Sequence, residues 1–409
     1  MKKYKLGEIG EIRMCKRILK SETNPYFGIP FYKIGTFGKI ADAFIDPLLY
    51  KHYKKSYSFP RKGDVLISAA GTIGKSVIYN GEDAYFQDSN IVWIEHDQSI
   101  VLNEFLYYLL NSIQWIPSKG STIFRLYNDD IRNKEVFIPS IKEQRGIVSV
   151  LSSIDRKIEI NRAINQNLEA MAKQLYDYWF VQFDFPNEDG KPYKSSGGKM
   201  VWNEKLKREI PFCFNIANME KLCKFRNGIN YSKDETGNDF QIVNVRNISS
   251  SKILLDGEDF DTITVPMTKA ENYLLKSEDI IIARSGCPGS TRLLISPTNT
   301  LFCGFIICCT PHNSSMRNYL TYCLKQLEGT NATTSGGSIL QNVSQDTLKG
   351  LPIVVPNKQI IDKFNETIEL IFTRILNCLK ETKALTKQRD ELLPLLMNGQ
   401  VSVNSDLAL

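Results

Sequence analysis

The sequence repeats itself at an offset of about 215 residues. The stretch 59–75 reads FPRKGDVLISAAGTIGK, and 275–289 reads LKSEDIIIARSGCPG. The surroundings recur as well, because a Lys-Leu pair opens each copy, at 5–6 and 221–222, and an apolar run ending in Pro139 or Pro356 closes it. A long helical pattern follows each copy. Two globular units, each followed by a long helix, predict a pseudo-twofold molecule that suits a ligand with two separated parts.

Both copies have the pattern of mixed α/β units that are rich in turns. In the first copy, 65–68, 76–79 and 90–95 are predicted strands. The stretch 103–111 is a predicted helix with Asn103 as its N-cap. The second copy repeats this order, with 316–326 as the matching helix. We therefore predict an α/β (α+β) fold with two repeated domains.

Two stretches almost free of proline and glycine, 141–180 and 358–393, carry apolar residues at heptad spacing. Neither apolar face would be stable in water, so we expect two long helices that bury each other as an antiparallel coiled coil. Asn161 and Asn165 lie within the first apolar row, where a polar residue either fixes the register or marks one polar turn. Pro394 and 398–399 should end the second helix. The buried row, here called the seam, is predicted to contain Ile147, Leu151, Ile154, Ile158, Leu168, Leu175, Ile361, Phe364, Ile368, Ile371, Ile375 and Leu385.

The repeat, the helices and a stretch rich in glycine, proline and serine after the first helix define the predicted domain order. The predicted segments are a first domain at 1–140, a first helix at 141–183, a linker at 184–211, a second domain at 212–356, a second helix at 357–398 and a tail at 399–409.

Composition places the chain among ordinary soluble proteins, with 42% apolar and 23% charged residues. No apolar run reaches the roughly 18 residues of a membrane span, and the N-terminus has no apolar signal core, so we expect a cytoplasmic protein. Nine scattered cysteines and three histidines show no zinc-ligand spacing, so we expect no metal. A net charge of +6 fits a polyanionic partner without requiring one.

The glycine-bearing stretch 69–76 matches a relaxed phosphate-loop pattern, with Ala69 in place of the first glycine. A phosphate loop must open into a helix, however, and 77–81 here has the pattern of a strand and a turn. The second copy also lacks the lysine. We therefore interpret both stretches as turns between two strands, whose exposed cations can reach a DNA phosphate or base edge.

Polar loops rich in small residues precede the closing apolar run in both copies, at 118–125 and 330–338. Such loops are able to follow a phosphate backbone, although they also resemble any surface loop. The stretch 244–247 carries side-chain types that read guanine and adenine edges. The predicted DNA contacts are Lys33, Ser68, Gly71, Thr72, Lys75, Lys119, Ser121, Thr122, Arg125, Arg226, Asn244, Arg246, Asn247, Arg284, Ser285, Arg292, Thr334, Ser335 and Ser338.

The sequence contains no pattern typical of catalysis. His52, His96 and His312 have no repeated acidic or nucleophilic partner, and there is no GxSxG, no HExxH and no amino-methyltransferase motif. A long duplicated chain of this kind is predicted to be a reader or a scaffold and not an enzyme. Two alternatives remain: a nucleotide-dependent enzyme that uses 69–76, and a coiled-coil interaction protein without a nucleic-acid role.

Four phrases carry a family resemblance: IPSIKEQR at 138–145, YWFVQFDFP at 178–186, GKPYKSSGGKM at 190–200 and LLPLLMNGQ at 392–400. Through them the sequence resembles the specificity (S) subunits of type I restriction-modification systems, along essentially its whole length. The duplicated order of globular unit and helix fits the same resemblance.

The resemblance implies two target recognition domains, each reading one half of a bipartite double-stranded DNA sequence, with the two helices as an antiparallel spacer. It implies two modification subunits as partners, which hold S-adenosylmethionine and methylate adenine. Restriction subunits that use ATP and Mg would add translocation and cleavage. This chain would bind no cofactor and would direct where the partners act.

Overall fold

The computed structural model describes residues 1–116, 125–232, 234–249, 252–257, 259–328 and 343–403. The chain divides into two compact units, unit 1 with Met1–Asn161 and Lys380–Leu409, and unit 2 with Arg162–Leu379. Each unit therefore contains one part of each long helix. Within the described ranges, no helix has the length and the apolar character needed to cross a membrane.

Unit 1 contains short strands and helices before the first long helix. Its strands are β1 (Lys2–Lys5), β2 (Glu11–Met14), β3 (Thr23–Asn24), β4 (Ile29–Tyr32), β5 (Phe44–Ile45), β6 (Val65–Ser68), β7 (Ser76–Ile78), β8 (Tyr85–Phe86), β9 (Ile91–Glu95) and β10 (Glu135–Ile138). Its helices are α1 (Leu6–Ile9), α2 (Pro47–Ser56), α3 (Asn103–Ser112), α4 (Asn128–Arg132) and the first part of α5 (Ile141–Tyr176).

Unit 2 contains the rest of α5, a π-helical turn at Asp177–Val181 and the second set of short elements. Its strands are β11 (Met200–Asn203), β12 (Arg208–Pro211), β13 (Asn215–Asn218), β14 (Cys223–Asn227), β15 (Asn238–Val243), β16 (Leu254–Leu255), β17 (Asp261–Val265), β18 (Ile280–Ala283), β19 (Thr291–Leu294), β20 (Thr300–Phe302), β21 (Ile306–Pro311) and β22 (Pro352–Val355). Its helices are α6 (Val245–Ile248), α7 (Met267–Ala270), α8 (Arg317–Lys325), α9 (Gln345–Lys349) and the first part of α10 (Lys358–Met397).

The two units share one sheet topology. In unit 1 the main sheet has the order β2-β9-β6-β7, and unit 2 repeats it as β14-β21-β18-β19, with β16 added at the edge. A smaller sheet pairs β4 with β5 antiparallel and with β8 parallel, and β15 pairs in the same way with β17 and β20. The pair β1–β10 returns as β13–β22. The sequence repeat is therefore a repeat of fold, as predicted.

The central strand of each main sheet is apolar without alternation because both of its faces are covered. All four residues of β6 are buried, and so are all four residues of β18. Helix α3 packs against β6 and β7, and α8 packs in the same way against β18 and β19. The packing of these helices fixes the ends of the central strands, from which the glycine-bearing turns project.

The predicted N-cap of α3 is wrong. Asn103 is the first residue of the helix and Leu102 precedes it. Two glutamines bond the amides at the start of the helix, because the Leu102 N–H donates to Gln144 Oε1 at 2.8 Å and the Asn103 N–H donates to Gln98 Oε1 at 3.2 Å.

Helix α10 runs past Pro394 and ends at the second predicted signal, 398–399, so the prediction is wrong for the proline and confirmed for 398–399. Pro394 lies inside the helix, which continues to Met397. The Asn398 N–H still donates to the Pro394 carbonyl at 3.0 Å, and Gly399 then takes a left-handed φ of +69°. Proline removes one hydrogen-bond donor, but the helix ends only at the glycine, which adopts the terminating conformation without strain.

The two long helices pack antiparallel within unit 1. Asp155 Oδ1 lies 3.0 Å from Arg389 Nη1, and Asn161 Nδ2 donates to Glu381 Oε2 at 2.8 Å. A later residue of α5 therefore pairs with an earlier residue of α10. The predicted antiparallel pairing is confirmed here. Asn161 is buried and hydrogen-bonded to the opposite helix, which favours the interpretation that it fixes the register.

In unit 2 the helices meet around one phenyl ring. Phe364 is fully buried, and its ring centroid lies 4.9 Å from that of Phe180 and 5.9 Å from that of Trp179. Most of the predicted seam is buried, while Leu168, Leu175 and Leu385 are only partly covered. The buried members are Ile147, Leu151, Ile154, Ile158, Ile361, Phe364, Ile368, Ile371 and Ile375.

Candidate nucleic-acid interface

A tight turn joins β6 to β7 in unit 1. At its base, the Ser68 N–H donates to the Lys75 carbonyl at 2.9 Å, and the Gly74 N–H donates to the Ser68 carbonyl at 2.9 Å. Gly71 and Gly74 have φ values of +66° and +80°, which favour glycine. A Cβ on Gly74 would lie 2.1 Å from Cδ1 of Trp115, so the turn packs directly on this indole.

The turn between β18 and β19 in unit 2 has the same backbone. The Ala283 N–H donates to the Ser290 carbonyl at 2.9 Å, and the Gly289 N–H donates to the Ala283 carbonyl at 3.0 Å. Gly286 and Gly289 have φ values of +78° and +84°. The repeated glycine spacing of the sequence is therefore a repeated turn conformation.

The interpretation of 69–76 as a hairpin turn is confirmed. Strand β7 follows it and pairs antiparallel with β6, with Ser76 opposite Ile67. The next helix of the described chain, α3, begins only at Asn103. The turn therefore lacks the helix N-terminus whose amides hold phosphates in a nucleotide-binding loop, which removes the structural basis of the nucleotide-enzyme alternative.

We expect Gly74→Ala to destabilise unit 1 by roughly 2–4 kcal/mol, because a left-handed alanine is strained and its methyl group collides with the Trp115 indole. The matched control is Gly63→Ala, where φ is +96° but the nearest atom is 3.4 Å away. Hydrogen exchange of the β6 and β7 amides against denaturant measures both variants. Equal destabilisation by the two substitutions would contradict packing of the turn on Trp115.

Other segments join the turn in unit 1. The Ala69 N–H donates to the Asn90 carbonyl at 2.7 Å, and the Leu126 N–H donates to the Ala69 carbonyl at 2.7 Å. A Cβ on Gly71 would lie 3.1 Å from the Ile34 side chain. We call the segments 33–40, 69–75, 87–90 and 125–126 the turn cluster of unit 1.

Unit 2 repeats this arrangement contact by contact. The Arg284 N–H donates to the Phe305 carbonyl at 2.8 Å, and the Val343 N–H donates to the Arg284 carbonyl at 2.9 Å. A Cβ on Gly286 would lie 2.9 Å from the Val245 side chain. The segments 244–247, 284–290, 303–305 and residue 343 form the turn cluster of unit 2. Main-chain bonds fix the relative positions of its segments.

The turn cluster of unit 1 contains several of the predicted contact residues. The Lys75 ammonium donates to the Phe37 carbonyl at 2.9 Å, which ties the glycine turn to 33–40. The Lys33 ammonium lies 2.9 Å from Asp42, and the Arg125 guanidinium donates to the Ser89 carbonyl at 2.6 Å. The cluster thus brings together Lys33, Gly71, Thr72, Lys75 and Arg125.

In unit 2 the structure brings together Asn244, Arg246, Arg284 and Ser285. Arg246 is exposed and pairs with Asp261 at 2.5 Å, and Asn244 Nδ2 donates to the same carboxylate at 2.8 Å. Arg284 is also exposed, and within the described part of the chain its side chain has no hydrogen bond or ion pair. It is therefore the cation of this cluster that is available to an external anion.

Four predicted contacts must be corrected, because three of them are buried and the fourth, Arg226, is partly buried and bonded to the interior. Ser68 is buried and its hydroxyl donates to the Ala70 carbonyl at 2.7 Å. Arg226 pairs with the buried Asp279 at 2.5 Å, and Asn247 Nδ2 donates to the Asp259 carbonyl at 2.8 Å. Arg292 is buried as well. All four satisfy internal partners, so they hold the fold and do not face a ligand.

Arg292 is buried and pairs with Glu328. Burial opposes ionisation of Glu328, but hydrogen bonds from Lys325 and Arg292 lower the pKa of this carboxyl below its usual value. The ion pair joins β19 to the residue three positions after the end of α8. This pair could not be read from the sequence, because Glu328 lies 36 residues from its partner.

The predicted contacts in the polar loops lie outside the described residues. They are Lys119, Ser121, Thr122, Thr334, Ser335 and Ser338. The residues that follow these loops, at 125–126 and 343, belong to the turn clusters.

Sequence reasoning missed several exposed residues at the clusters. In unit 1 they are Lys39, which lies within the segment 33–40 of the cluster, and Arg17, which lies outside the cluster segments. The Tyr85 hydroxyl donates to the Lys16 carbonyl at 2.9 Å, which joins the residue before Arg17 to β8, the strand that leads into 87–90. In unit 2 it is Phe305, which is 62% exposed. Adding the repeat offset of 215 to residue number 90 gives 305, so the sequence repeat could have indicated Phe305.

The clusters contain no group of metal ligands. In the described ranges, no three or more His, Cys, Asp or Glu side chains are arranged to hold a metal ion. Burial raises the pKa of the Cys303 thiol at the edge of the unit 2 cluster, so this sulfur is a protonated thiol at neutral pH. The chemistry that these surfaces offer is hydrogen bonding, positive charge and one exposed phenyl ring.

Comparison with known families gives one match that covers most of the chain. The model of the type I restriction modification DNA specificity domain matches residues 1–170 and again 215–391. The two matched ranges contain the two turn clusters and most of both long helices.

Individual relatives agree with this match. The chain is 48% identical over 181 residues to a putative type I restriction enzyme specificity subunit of Haemophilus influenzae, covering 44% of this chain and 46% of that protein. It is 26% identical to a type I restriction enzyme specificity subunit of Methanocaldococcus jannaschii, covering 84% of this chain and 79% of that protein. The fold is similar to the crystal structure of a type I restriction-modification S subunit from M. genitalium, with a TM-score of 0.55, 17% identity and coverage of 97% and 96%.

Proposed function

The chain belongs to the type I restriction modification DNA specificity family, and on this basis we propose that its two turn clusters read the two halves of a bipartite double-stranded DNA target. The chain is a DNA specificity subunit with two recognition domains, and it is not itself an enzyme. It assembles with other restriction-modification subunits and with DNA. Its sequence-specific contacts are assigned to the two clusters.

The observation that carries the proposal is the duplicated turn cluster. The same main-chain hydrogen bonds join the glycine turn, the turn before β9 or β21 and the end of the polar loop in both units. One chain therefore presents two surfaces of equal backbone geometry but different side chains. Equal backbones with unequal side chains are what two different half-sites of one target require.

The side chains of the clusters suit DNA. Phosphate contacts from lysine, arginine and backbone amides position a protein on the duplex, and contacts to base edges specify the sequence. Lys75 and Lys39 supply positive charge in unit 1, and Arg284 supplies it in unit 2. Because the glycine turns have no bulky side chains at Gly71 and Gly286, backbone amides there are free to approach a phosphate or a base.

We assign α5 and α10 the role of a spacer that sets the gap between the half-sites. Two half-sites read by one body gain affinity through effective concentration only when the spacer matches their separation. The antiparallel packing of the helices and the hydrogen bond from the buried Asn161 to Glu381 support a fixed register between them. A slipped register would leave the buried Asn161 side chain without this partner.

We propose that the partners are two modification subunits, with restriction subunits added in the nuclease form of the complex. In this scheme S-adenosylmethionine is held by the modification subunits, and ATP and Mg by the restriction subunits. The chain itself supplies the DNA sequence specificity for adenine methylation and cleavage, which take place in the cytoplasm.

Sequence selection from a random DNA pool tests the proposal. The chain is co-purified with its candidate methyltransferase, and bound DNA is amplified and sequenced. We expect two short fixed blocks separated by a gap of constant length. A folded and assembled complex that enriches no sequence would contradict the proposal and would favour an interaction protein without a nucleic-acid role.

A further inference from the structure

The two turn clusters share their backbone but differ at equivalent positions. The same main-chain hydrogen bond joins Ala69 to Asn90 in unit 1 and Arg284 to Phe305 in unit 2. Unit 2 therefore has a guanidinium where unit 1 has a methyl group, and a phenyl ring where unit 1 has an amide. This difference lies at the centre of each cluster.

The cations of unit 1 lie at other positions of its cluster. Lys75 closes the glycine turn in unit 1, where unit 2 has Ser290. Lys33 precedes the residue that packs on the glycine turn, and Asn244 takes this place in unit 2. Arg17 and Lys39 add exposed positive charge in unit 1. The first cluster therefore has four cations, Lys33, Lys39, Lys75 and Arg125, while the second has two, Arg246 and Arg284, together with an exposed aromatic ring.

The phenyl ring of Phe305 is held at the tip of a short, fixed turn. Its carbonyl accepts the Arg284 N–H at 2.8 Å, and the Ile306 N–H donates to the Cys303 carbonyl at 2.9 Å. A Cβ on Gly304 would lie 2.2 Å from Asn230 Oδ1, so the turn is also packed from the side. The ring is nevertheless 62% exposed, and it makes no aromatic contact with any described residue.

We infer that unit 2 reads its half-site through an apolar contact of Phe305 with a base, beside Arg284, whereas unit 1 holds its half-site mainly by neutralising phosphates. This inference rests on the proposed function. An exposed ring on a rigid turn reaches a base with little loss of side-chain freedom on binding. Phenylalanine contacts the thymine methyl group in a groove or the face of an unstacked base, and both contacts are apolar.

The two modes differ in their dependence on salt. Each neutralised phosphate adds about 0.9 to the slope of log affinity against log salt concentration. Removing two cations of unit 1 therefore lowers that slope by about two if both contact phosphates. Removing a phenyl ring releases no counterions, so affinity falls while the slope stays unchanged.

The experiment uses the complete complex and the target found by selection, and it measures affinity over a range of salt concentrations. We expect Phe305→Ala to weaken binding about tenfold at every salt concentration and to relax selectivity at one position of one half-site only. The matched control is Phe212→Ala, since Phe212 is also 62% exposed in unit 2 but lies outside the turn cluster. We expect this control to bind like the parent complex.

The second arm replaces Arg17 and Lys39 by alanine. We expect the salt slope to fall by about two, with selectivity retained in both half-sites. Lys2→Ala combined with Lys3→Ala removes two exposed cations of β1, away from the cluster, and should leave the slope unchanged. Replacing thymine by uracil at the affected position distinguishes a contact with the thymine methyl group from a contact with the base face. Uracil lacks the methyl group, so only the first contact is weakened.

Two results would overturn the inference. One is binding by Phe305→Ala that equals binding by Phe212→Ala, and the other is a change in salt slope for Phe305→Ala as large as for the cation variant. In both cases the parent complex still selects a bipartite target, so the proposed function stands. A parent complex that selects no target removes the proposed function and this inference together.

Discussion

Removing seven residues from each long helix should shorten the preferred gap between the two half-sites by about three base pairs. Seven helical residues span about 10 Å at 1.5 Å per residue, and one base pair spans about 3.4 Å. The deletion takes out 154–160 together with 383–389. This removes both partners of the Asp155–Arg389 pair and keeps Asn161 close to Glu381, so the antiparallel register is preserved.

The direction of the change follows from the spacer role assigned to α5 and α10. The half-sites should keep their sequences, because neither turn cluster is altered. Affinity should fall even for the new gap. Removing three base pairs rotates one half-site by about 100° around the duplex axis, but the deletion rotates the helices by only about 20°, so the two rotations do not match. Sequence selection with the deleted complex measures both the gap and the half-sites.

Deletion of 154–160 alone is the control. It moves Asn161 away from Glu381 and leaves Arg389 without Asp155, so the helices should pair poorly and no gap should be well defined. If the paired deletion leaves a stable complex with the original gap, the helices do not set the spacing.

Phe364→Ala should destabilise unit 2 by about 3–5 kcal/mol, which is the usual cost of emptying a fully buried phenylalanine site. The ring is fully buried, and its centroid lies within 6.5 Å of those of Tyr176, Trp179, Phe180 and Tyr322. These neighbours come from α5, the π-helical turn and α8. Because they are large and packed on each other, the site should collapse only in part.

Hydrogen exchange of unit 2 amides against denaturant measures this effect without assuming that both units unfold together. Leu370→Ala is the matched control on the same helix, because Leu370 is 73% exposed. We expect the control to change stability by less than about 0.5 kcal/mol. A comparable loss in both variants would mean that Phe364 does not organise the core of unit 2.

The sequence contained enough information to predict the repeat, the two long helices and the interpretation of 69–76 as a turn. These features depend on local patterns: the heptad spacing of apolar residues, strand-like runs on both sides of a glycine turn and glycines at positions that need a left-handed φ. The resemblance to specificity subunits came from short phrases of the same local kind.

Local patterns also led to errors. Asn103 was predicted as a cap because asparagine before an apolar run usually is one. In the structure the helix begins at Asn103 itself, and Gln98 and Gln144 accept hydrogen bonds from the Asn103 and Leu102 amides at its start. Pro394 was predicted to end α10 together with 398–399, but the helix ends only at the second signal, because one missing donor does not outweigh the packing of the final turn, where Leu396 and Met397 are buried.

The tertiary structure alone decided which polar side chains face outward. Arg226 and Arg284 look alike in the sequence, yet Arg226 pairs with Asp279, 53 residues away, while Arg284 is exposed beside Phe305. Asn161 finds its partner Glu381 at a distance of 220 residues. Periodicity and turn chemistry act between near neighbours, so the sequence alone determined the elements. Ion pairs and hydrogen bonds of the interior join residues that only folding brings together, and the fold alone therefore determined which polar side chains form the surface that we propose to contact DNA.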